Sequence, residues 1–426
     1  MKKIFTNGVF DLFHEGHSNL LIRAKMEGDY LLVGIASDES CLLNKRLPFQ
    51  KWEDRAKVIK DLPYVDEVIK VPWSKDLTED FYIDNKITMQ IQGDHSSSFC
   101  IAEKLGILKI IGRTEGISTT KILEIINTCE NETINQGYLN DVTRISFEGN
   151  YYILKSGIRK VAKSYPISIP DSRIKEEISV INTFRNLILD NSFIVKPICS
   201  DYKTLIVFES APIEAISLYE KLVNENSINT DFIISITKKL TILHNHSYKN
   251  LSLKNKFSHN KGFLEIKLRI QILESTQEQI VKNDINEFIN NSKSFSDVLL
   301  HGDFAPKNIL VWENNFLFID FEESGYFDSA LDIGYFIAHI FIHIKIKYVI
   351  HDDALLLKIV NTYLDNYCGA ISDISLNERI IKYMGIFLIS RISSKAKAYY
   401  IPKELNMYFY NIGKKLFYDP NYFYKI

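Results

Sequence analysis

Two histidines three residues apart, His14 and His17, enclose Gly16 in the run GVFDLFHEGH. Gly16 lets a ligand approach the backbone closely, and a helix beginning near His17 would turn its amino end towards an anion. Two imidazoles placed there can donate hydrogen bonds to a phosphate whose charge grows in a transition state. That is electrostatic stabilisation rather than acid–base work. A phosphate oxygen acting as the nucleophile is already ionised at neutral pH and needs no strong base. A second run, RTEGISTTK at 113–121, brings two cations, several hydroxyls and a row of backbone N–H groups to the start of a helix that Ser118 can cap. Such a loop suits a triphosphate. Capping histidines or an ordinary capped turn would share either spacing alone, so the combination carries the reading.

A third set lies far along the chain, in HGDFAPKN (301–308) and FLFIDFEE (316–323). Asp303 and Asn308 flank a tight turn that contains Pro306. Two apolar runs, 309–312 and 316–319, follow as a hairpin that delivers Asp320 at the end of its second strand. One base and two oxygen ligands then meet, which suits Mg²⁺ and phosphoryl transfer. Asp303 would accept a substrate hydroxyl's proton, and Asn308 and Asp320 would hold the metal. Acidic residues at strand ends are commonly no more than solvated turns, and the joint spacing sets these apart.

The elements that must position these residues follow from hydrophobic pattern. Residues 4–10, 30–36, 67–71, 89–92 and 108–111 read as strands, with helices at 18–26, 52–62 and 118–126. Strand–helix alternation implies a parallel sheet flanked by helices, with chemistry outside the carboxyl ends of the strands. The polar stretch 127–136 lacks periodicity and reads as the end of a first domain and a linker. Strands at 142–147, 151–155 and 204–209 then surround a helix at 173–187, and long helical patterns dominate from about 230. This gives an α/β fold class, with a small sheet-rich lobe followed by a larger helical lobe. The expected domains are 1–129, a linker at 130–136, and 137–426 with its lobes parting near 212.

At 426 residues, 46% hydrophobic and 24% charged, the chain has apolar material for more than one core. A net charge of −2 offers no field for nucleic acid or an anionic membrane, so phosphate recognition must be local. Five scattered cysteines without a CxxC argue against a disulfide framework or zinc site and for a reducing, cytoplasmic location. No apolar signal segment follows the first lysines. The apolar stretch 333–350 is interrupted by His339, His343, Lys345 and Lys347 and reads as a buried helix rather than a membrane insertion.

HEGH, KWEDRAKVI…YVDEVI and RTEGISTT together resemble the cytidylyltransferase family, above all the glycerol-3-phosphate cytidylyltransferases, over residues 1–126. The resemblance implies a Rossmann-like nucleotidyltransferase domain, CTP with Mg²⁺ as donor, and a homodimer formed through this domain. His14 and His17 would stabilise the pentavalent α-phosphorus. Lys45, with Arg46 an equal candidate, and Arg55 would bind phosphates of CTP or acceptor. Asn7, Gly8, Phe10, Asp11, Gly16, Asp94, Arg113, Gly116, Ile117, Ser118, Thr119 and Lys121 would complete the CTP site. GVFD replaces the commoner GTFD, and GDH, with His95, replaces GDD. Both changes leave the acceptor open.

The HGDxxxxN and IDFE set resembles the aminoglycoside phosphotransferase and choline kinase superfamily, which shares the two-lobed protein-kinase-like fold, over about 137–400. The resemblance implies ATP contacts from Asn140 in the loop before the strand at 142–147, from Lys155, from Glu177 (with Glu176 its rival) and from Glu209 in the hinge-like LIVFE. His244 in LTILHNH, Asp328 and Asp332 also fit. A kinase of small alcohols makes the acceptor that a cytidylyltransferase needs. The expectation is therefore a bifunctional enzyme that makes a CDP-alcohol for a surface glycan or lipid. The alternative is a kinase-like domain that acts on a sugar or on the CDP product, or only binds a ligand. Amino alcohols need acids or aromatics around a cation and polyols need hydrogen-bonding side chains. With 23 tyrosines and 26 phenylalanines, sequence does not choose between them.

Overall fold

The computed structural model describes residues 1–94, 99–114, 118–127, 131–136, 140–157, 173–225, 227–260, 262–347, 353–393 and 401–426. The chain divides into two compact units, Met1–Ala162 with Pro197–Ser210 and Lys163–Lys196 with Ala211–Ile426.

The first unit opens with β1 (Lys3–Gly8), α1 (Glu15–Lys25), β2 (Tyr30–Ala36), α2 (Asp38–Asn44), α3 (Trp52–Lys60), β3 (Glu67–Val71), α4 (Glu79–Asp84), β4 (Met89–Gln92), α5 (Cys100–Lys104), β5 (Leu108–Ile110) and α6 (Thr119–Asn127). The five strands form one parallel sheet in the order β3-β2-β1-β4-β5. This is the Rossmann-like arrangement expected. Ile4, Phe5, Leu31, Leu32 and Val33 are fully buried, as strands covered on both faces require. Chain direction across the sheet reverses between β1 and β4. The loop after β1 therefore opens at the crevice where such sheets hold ligands.

Two local differences from the sequence reading have simple causes. Helix α1 begins at Glu15 with His14 as its cap, rather than near His17, because the cap bond is made by the His14 ring itself. Helices α2, α4 and α5 are only five to seven residues long, too short for a 3.6-residue period to show.

The same unit carries an antiparallel sheet of β6 (Asn131–Gln136), β7 (Asn140–Phe147) and β8 (Asn150–Gly157), completed after helix α7 (Arg173–Leu187) by β9 (Pro197–Ser200) and β10 (Leu205–Glu209), in the order β6-β7-β8-β10-β9. Residues 131–136, expected as linker, are thus a paired strand. They escaped recognition because β6 is an edge strand, where polar residues are admissible.

The second unit contains α7 and then β11 (Ile216–Ser217), α8 (Leu218–Asn224), α9 (Thr230–Ser247), α10 (Leu251–Phe257), a π-helix at Gly262–Leu273, and α11 (Gln279–Ser292). Strands β12 (Val298–Leu299), β13 (Ile309–Trp312), β14 (Asn315–Phe318) and β15 (Tyr326–Phe327) follow. Helices α12 (Ala330–Lys347), α13 (Asp353–Asn366), α14 (Leu376–Ser393) and α15 (Asn406–Tyr418) complete it. Strands β13 and β14 form the expected hairpin, with Trp312 opposite Asn315. Helix α12 is buried from Ala330 to Ile344. Among the described residues no helix is long and apolar enough to cross a membrane.

Gly302 lies between His301 and Asp303 with φ +86°, and a Cβ there would stand 1.8 Å from the Glu323 carbonyl oxygen. Two chain segments therefore touch backbone to backbone at this point. Gly302→Ala must push the HGD turn off the segment that follows Asp320. The expected outcome is a lowered melting temperature of the second unit, read by thermal denaturation.

Candidate active sites

In the first unit the loop from β1 to α1 is bent by two non-glycine residues in the left-handed region, Phe10 (φ 53°) and Leu12 (φ 46°). Bulky residues rarely adopt it, so the surroundings must hold them there. Asp11, between them and almost wholly buried, does so. Its carboxylate accepts hydrogen bonds from the backbone N–H of Phe49 (2.8 Å) and Gln50 (3.0 Å) and pairs with Arg46 (3.1 Å). Gln50 returns the link, since its Oε1 accepts from the Leu12 N–H at 2.9 Å.

The loop ends by placing the two histidine rings face to face, with centroids 3.7 Å apart. The Gly16 N–H donates to His14 Nδ1 at 3.1 Å. Nδ1 must then carry the lone pair, which puts the proton of a neutral ring on Nε2. That nitrogen lies 3.5 Å from Thr119 Oγ1, on the other signature loop, and Thr119 in turn donates to the Asp11 carbonyl at 3.2 Å. Burial drives the His14 pKa down to about 4, and burial with His14 alongside drives His17 well below its usual value. Both rings are therefore neutral at physiological pH. They are fit to donate one hydrogen bond each rather than to carry a resident charge.

Asn7, at the end of β1, is a hub. Its Oδ1 accepts from Gln90 Nε2 (2.9 Å) and Gln92 Nε2 (2.7 Å), and its Nδ2 donates to Ser74 Oγ (2.7 Å). Gly8 follows it, and a Cβ there would meet the Phe10 ring at 3.3 Å. Ser118 accepts from the Lys121 N–H at 3.2 Å as a helix cap should, and the Lys121 ammonium lies 3.5 Å from Glu148. Arg113 is paired with Asp94 at 2.6 Å on the surface. Lys45 is exposed. His95, Gly116 and Ile117 lie outside the described residues.

Arg55 departs from expectation. It has no exposed surface, and its guanidinium donates to the carbonyls of Gln50, Val9 and Ala36 and to Asp38. These bonds tie the carboxyl ends of β1 and β2 to α3, so here it organises the crevice and does not present itself to a phosphate. Of the two neighbouring cations, Arg46 is held by Asp11 and Lys45 stays open to solvent.

The antiparallel sheet of the same unit reaches this loop. His14 and Cys199 form a backbone bridge, and Leu12 packs in one apolar cluster with Ile122, Cys199 and Val207. Gln50 Nε2 donates to the Asp201 carbonyl at 2.9 Å, so one side chain joins the histidine loop to the β9–β10 turn. No sequence signal marks Gln50, Ser74 or Cys199. The alternation MQIQ in β4 was the visible trace of Gln90 and Gln92, polar groups in a strand otherwise made for burial.

In the second unit His301, Gly302 and Asp303 are held by Asp332, which is fully buried and accepts from the N–H groups of His301 (2.8 Å) and Gly302 (3.0 Å) and contacts His244 at 3.2 Å. Asn308 donates to Asp303 twice, to the carbonyl (2.8 Å) and to Oδ2 (2.9 Å), which leaves its own Oδ1 as an acceptor. Lys267, fully buried on the π-helix, meets Asp303 at 2.6 Å, and Lys307 meets it at 2.9 Å. Burial pushes the Asp303 carboxyl up, but Lys267, Lys307 and Arg391 outweigh it and hold the group well below the usual carboxylate range. Asp320 sits at φ +67° just past β14, and carboxylate oxygens of Glu177, Asp320 and Glu322 lie within 4.8 Å of one another. Glu177, expected among the ATP contacts, lies beside Asp320, the expected metal ligand. In the first unit Lys155 is buried on β8 opposite Val142 and Ile206, Asn140 starts β7, and Glu209 ends β10 exposed. Lys267 went unnoticed because a lysine in GFLEIKLRIQIL reads as a solvated position until its partners are seen.

Residues 5–125 match the family described as cytidylyltransferase-like, and residues 133–349, half of the chain, match the phosphotransferase enzyme family. The glycerol-3-phosphate cytidylyltransferase of Bacillus subtilis is 41% identical over 127 residues, which are 30% of this chain and 98% of that enzyme. The ethanolamine-phosphate cytidylyltransferase of Arabidopsis thaliana is 35% identical over 142 residues, 30% of this chain but only 33% of that protein. Among solved structures, an ethanolamine kinase of Plasmodium vivax aligns at 15% identity and a TM-score of 0.46, covering 78% of this chain and 91% of that one. The chain belongs to the phosphotransferase enzyme family and carries an N-terminal domain of the cytidylyltransferase family.

Two outcomes are expected. Because folding lowers the His14 pKa from 6.5 to about 4, stability from the neutral ring is full above pH 6.5 and is lost as pH falls towards 4. Such a shift corresponds to about 3 kcal/mol. Chemical denaturation across pH 4–7 should show the decline, and His14→Asn should make it shallower while leaving the part that buried His17 contributes. Gln50→Ala removes the bond to the Leu12 N–H and should lower the rate of pyrophosphate release about tenfold or more. An unchanged rate would mean the loop holds its shape without that side chain.

Proposed function

We propose that this chain phosphorylates a small alcohol with ATP and then transfers CMP from CTP onto the new phosphate. In the first reaction the alcohol oxygen bonds to the γ-phosphorus of ATP, ADP departs, and Asp303 takes the hydroxyl proton. A carboxylate held so firmly ionised is a weak base. A loose phosphoryl-transfer transition state asks chiefly for orientation and for late acceptance of the proton, which such a group can give. Asn308 fixes the carboxylate's rotation.

In the second reaction the new phosphate monoester attacks the α-phosphorus of CTP. The bond to the β,γ-phosphates breaks, and pyrophosphate leaves. His14 and His17 donate to the oxygens that gain charge, and because both rings start neutral, CTP meets hydrogen-bond donors fixed in place by Gly16, Thr119 and the Asp11 loop. Asn7, Ser118, Thr119, Arg113, Lys45 and Lys121 are the candidates for holding CTP. Asn140, Lys155 and Glu209 are those for ATP.

The acidic trio of Asp320, Glu322 and Glu177 is a set of hard oxygen donors that suits Mg²⁺, and Asn308 is a further candidate ligand through Oδ1. Mg²⁺ bound there would neutralise phosphate charge. A cytoplasmic setting and pairing of two copies through the N-terminal domain belong to the same proposal.

The observation that carries the reading is an ionised, doubly clamped Asp303 in the same chain as a neutral, stacked histidine pair. One set makes a phosphate monoester and the other consumes one. Fusion keeps the shared intermediate at raised local concentration.

Pyrophosphate release should be followed with CTP and phosphorylated alcohols, and then with CTP, ATP and the free alcohols. Asp303→Asn should abolish only the ATP-dependent route, by roughly a hundredfold or more. His14→Ala should suppress both routes by a similar factor. If phosphorylated acceptors react while no free alcohol does so with ATP, the two-step reading is wrong.

A further inference from the structure

The surroundings of Asp303 bear on which alcohols can reach it, an inference that rests on the phosphotransferase reading above. Lys267, at the middle of the π-helix, has no exposed surface, and its ammonium contacts Asp303 (2.6 Å), Glu323 (2.9 Å) and Gln271 Oε1 (2.9 Å). Glu323 accepts a second bond from Gln271 Nε2 at 2.6 Å. Lys307 closes on the other oxygen of Asp303.

The aromatic surface there is also covered by cations. The Lys267 ammonium lies 4.4 Å from the Tyr335 ring centroid, and the Arg391 guanidinium lies 5.0 Å from the same ring and donates to its hydroxyl. Lys267 also stands 5.9 Å from the Phe387 ring. In the first turn of α12, Asp332 is spent on the backbone of His301 and Gly302, and Asp328, just before the helix, is held by Arg379 through two bonds of 2.7 and 3.1 Å.

An ammonium group bound next to a catalytic base needs an uncompensated carboxylate or an open aromatic face, since burying it otherwise leaves a charge without a partner. Here Asp303 and Glu323 share Lys267, Lys307 adds a second cation on Asp303, and the Tyr335 ring already faces two cations. Gln271, the Tyr335 hydroxyl and the lysine N–H groups are suited instead to hydroxyl or carboxylate oxygens. We propose that the acceptor of this phosphotransferase site is a neutral or anionic polyhydroxy compound and that ammonium-bearing alcohols are excluded by the Lys267–Lys307–Arg391 array.

The test uses the full chain with ATP and Mg²⁺ and reads ADP formation for matched pairs that differ in charge at one position. The pairs are ethane-1,2-diol against 2-aminoethanol, and 3,3-dimethylbutan-1-ol against choline, with glycerol, ribitol and glycerate alongside. The neutral member of each pair should be used with kcat/KM at least about a hundredfold above its cationic partner, since like charges brought together cost several kcal/mol. The best substrate should come from the polyhydroxy group. Preference for 2-aminoethanol or choline overturns the inference while leaving the kinase reading intact. If none of the alcohols yields ADP above the rate of Asp303→Asn, the kinase reading fails and this inference with it.

Discussion

A buried carboxylate that gathers the backbone N–H groups of a bent loop is the interaction on which both candidate sites depend. Asp11 collects Phe49 and Gln50 and so fixes the turn that carries His14. Asp332 collects His301 and Gly302 and so fixes the turn that carries Asp303. In each case the carboxylate itself is withdrawn from solvent. Its charge is balanced by N–H donors and a nearby cation or histidine, which makes the arrangement costly to deform. The strained φ values at Phe10 and Leu12 are sustained by the Asp11 clamp, and the Asp332 clamp holds the turn whose positive φ glycine at 302 allows. Because the clamp is a separate carboxylate, neither the imidazoles nor the Asp303 carboxylate is spent on the backbone N–H groups of its loop.

The two sites use burial in opposite ways. Among the described residues nothing compensates a positive charge around His14 and His17, so desolvation keeps the rings neutral and makes them fixed dipolar donors. Around Asp303 desolvation acts in the same sense, favouring the uncharged acid, but two lysines and an arginine reverse it. Under the proposed function, the site that meets a charged substrate begins empty of charge, and the site that accepts a proton begins ionised. The π-helix that carries Lys267 fits this role, since such helices often occur where a side chain is directed into a functional site.

Much of this was legible from residue order alone. The parallel sheet announces itself through its central strands β1 and β2, which are buried on both faces and together mostly apolar, and HEGH, RTEGISTT and HGDxxxxN gather enough donors and acids to name a phosphate chemistry. What stayed hidden depends on tertiary partners. An arginine such as Arg55 in a charged helix gives no sign that the carbonyls of Gln50, Val9 and Ala36 will claim it. Strand β6 is polar because it lies at an edge, so it looked like a linker. Gln50 and Lys267 stand at unremarkable positions, and only folding brings the β9–β10 turn to one and Asp303 to the other.

The central claim is that one phosphate passes through both sites. It is tested most directly by supplying the alcohol with CTP and ATP labelled with ³²P at the γ-position, and locating the label in the nucleotide product. The account predicts that the label sits in the phosphate joined to the alcohol, with the CMP phosphate unlabelled. A CDP-alcohol without label, or label that accumulates in a compound never joined to CMP, would contradict it.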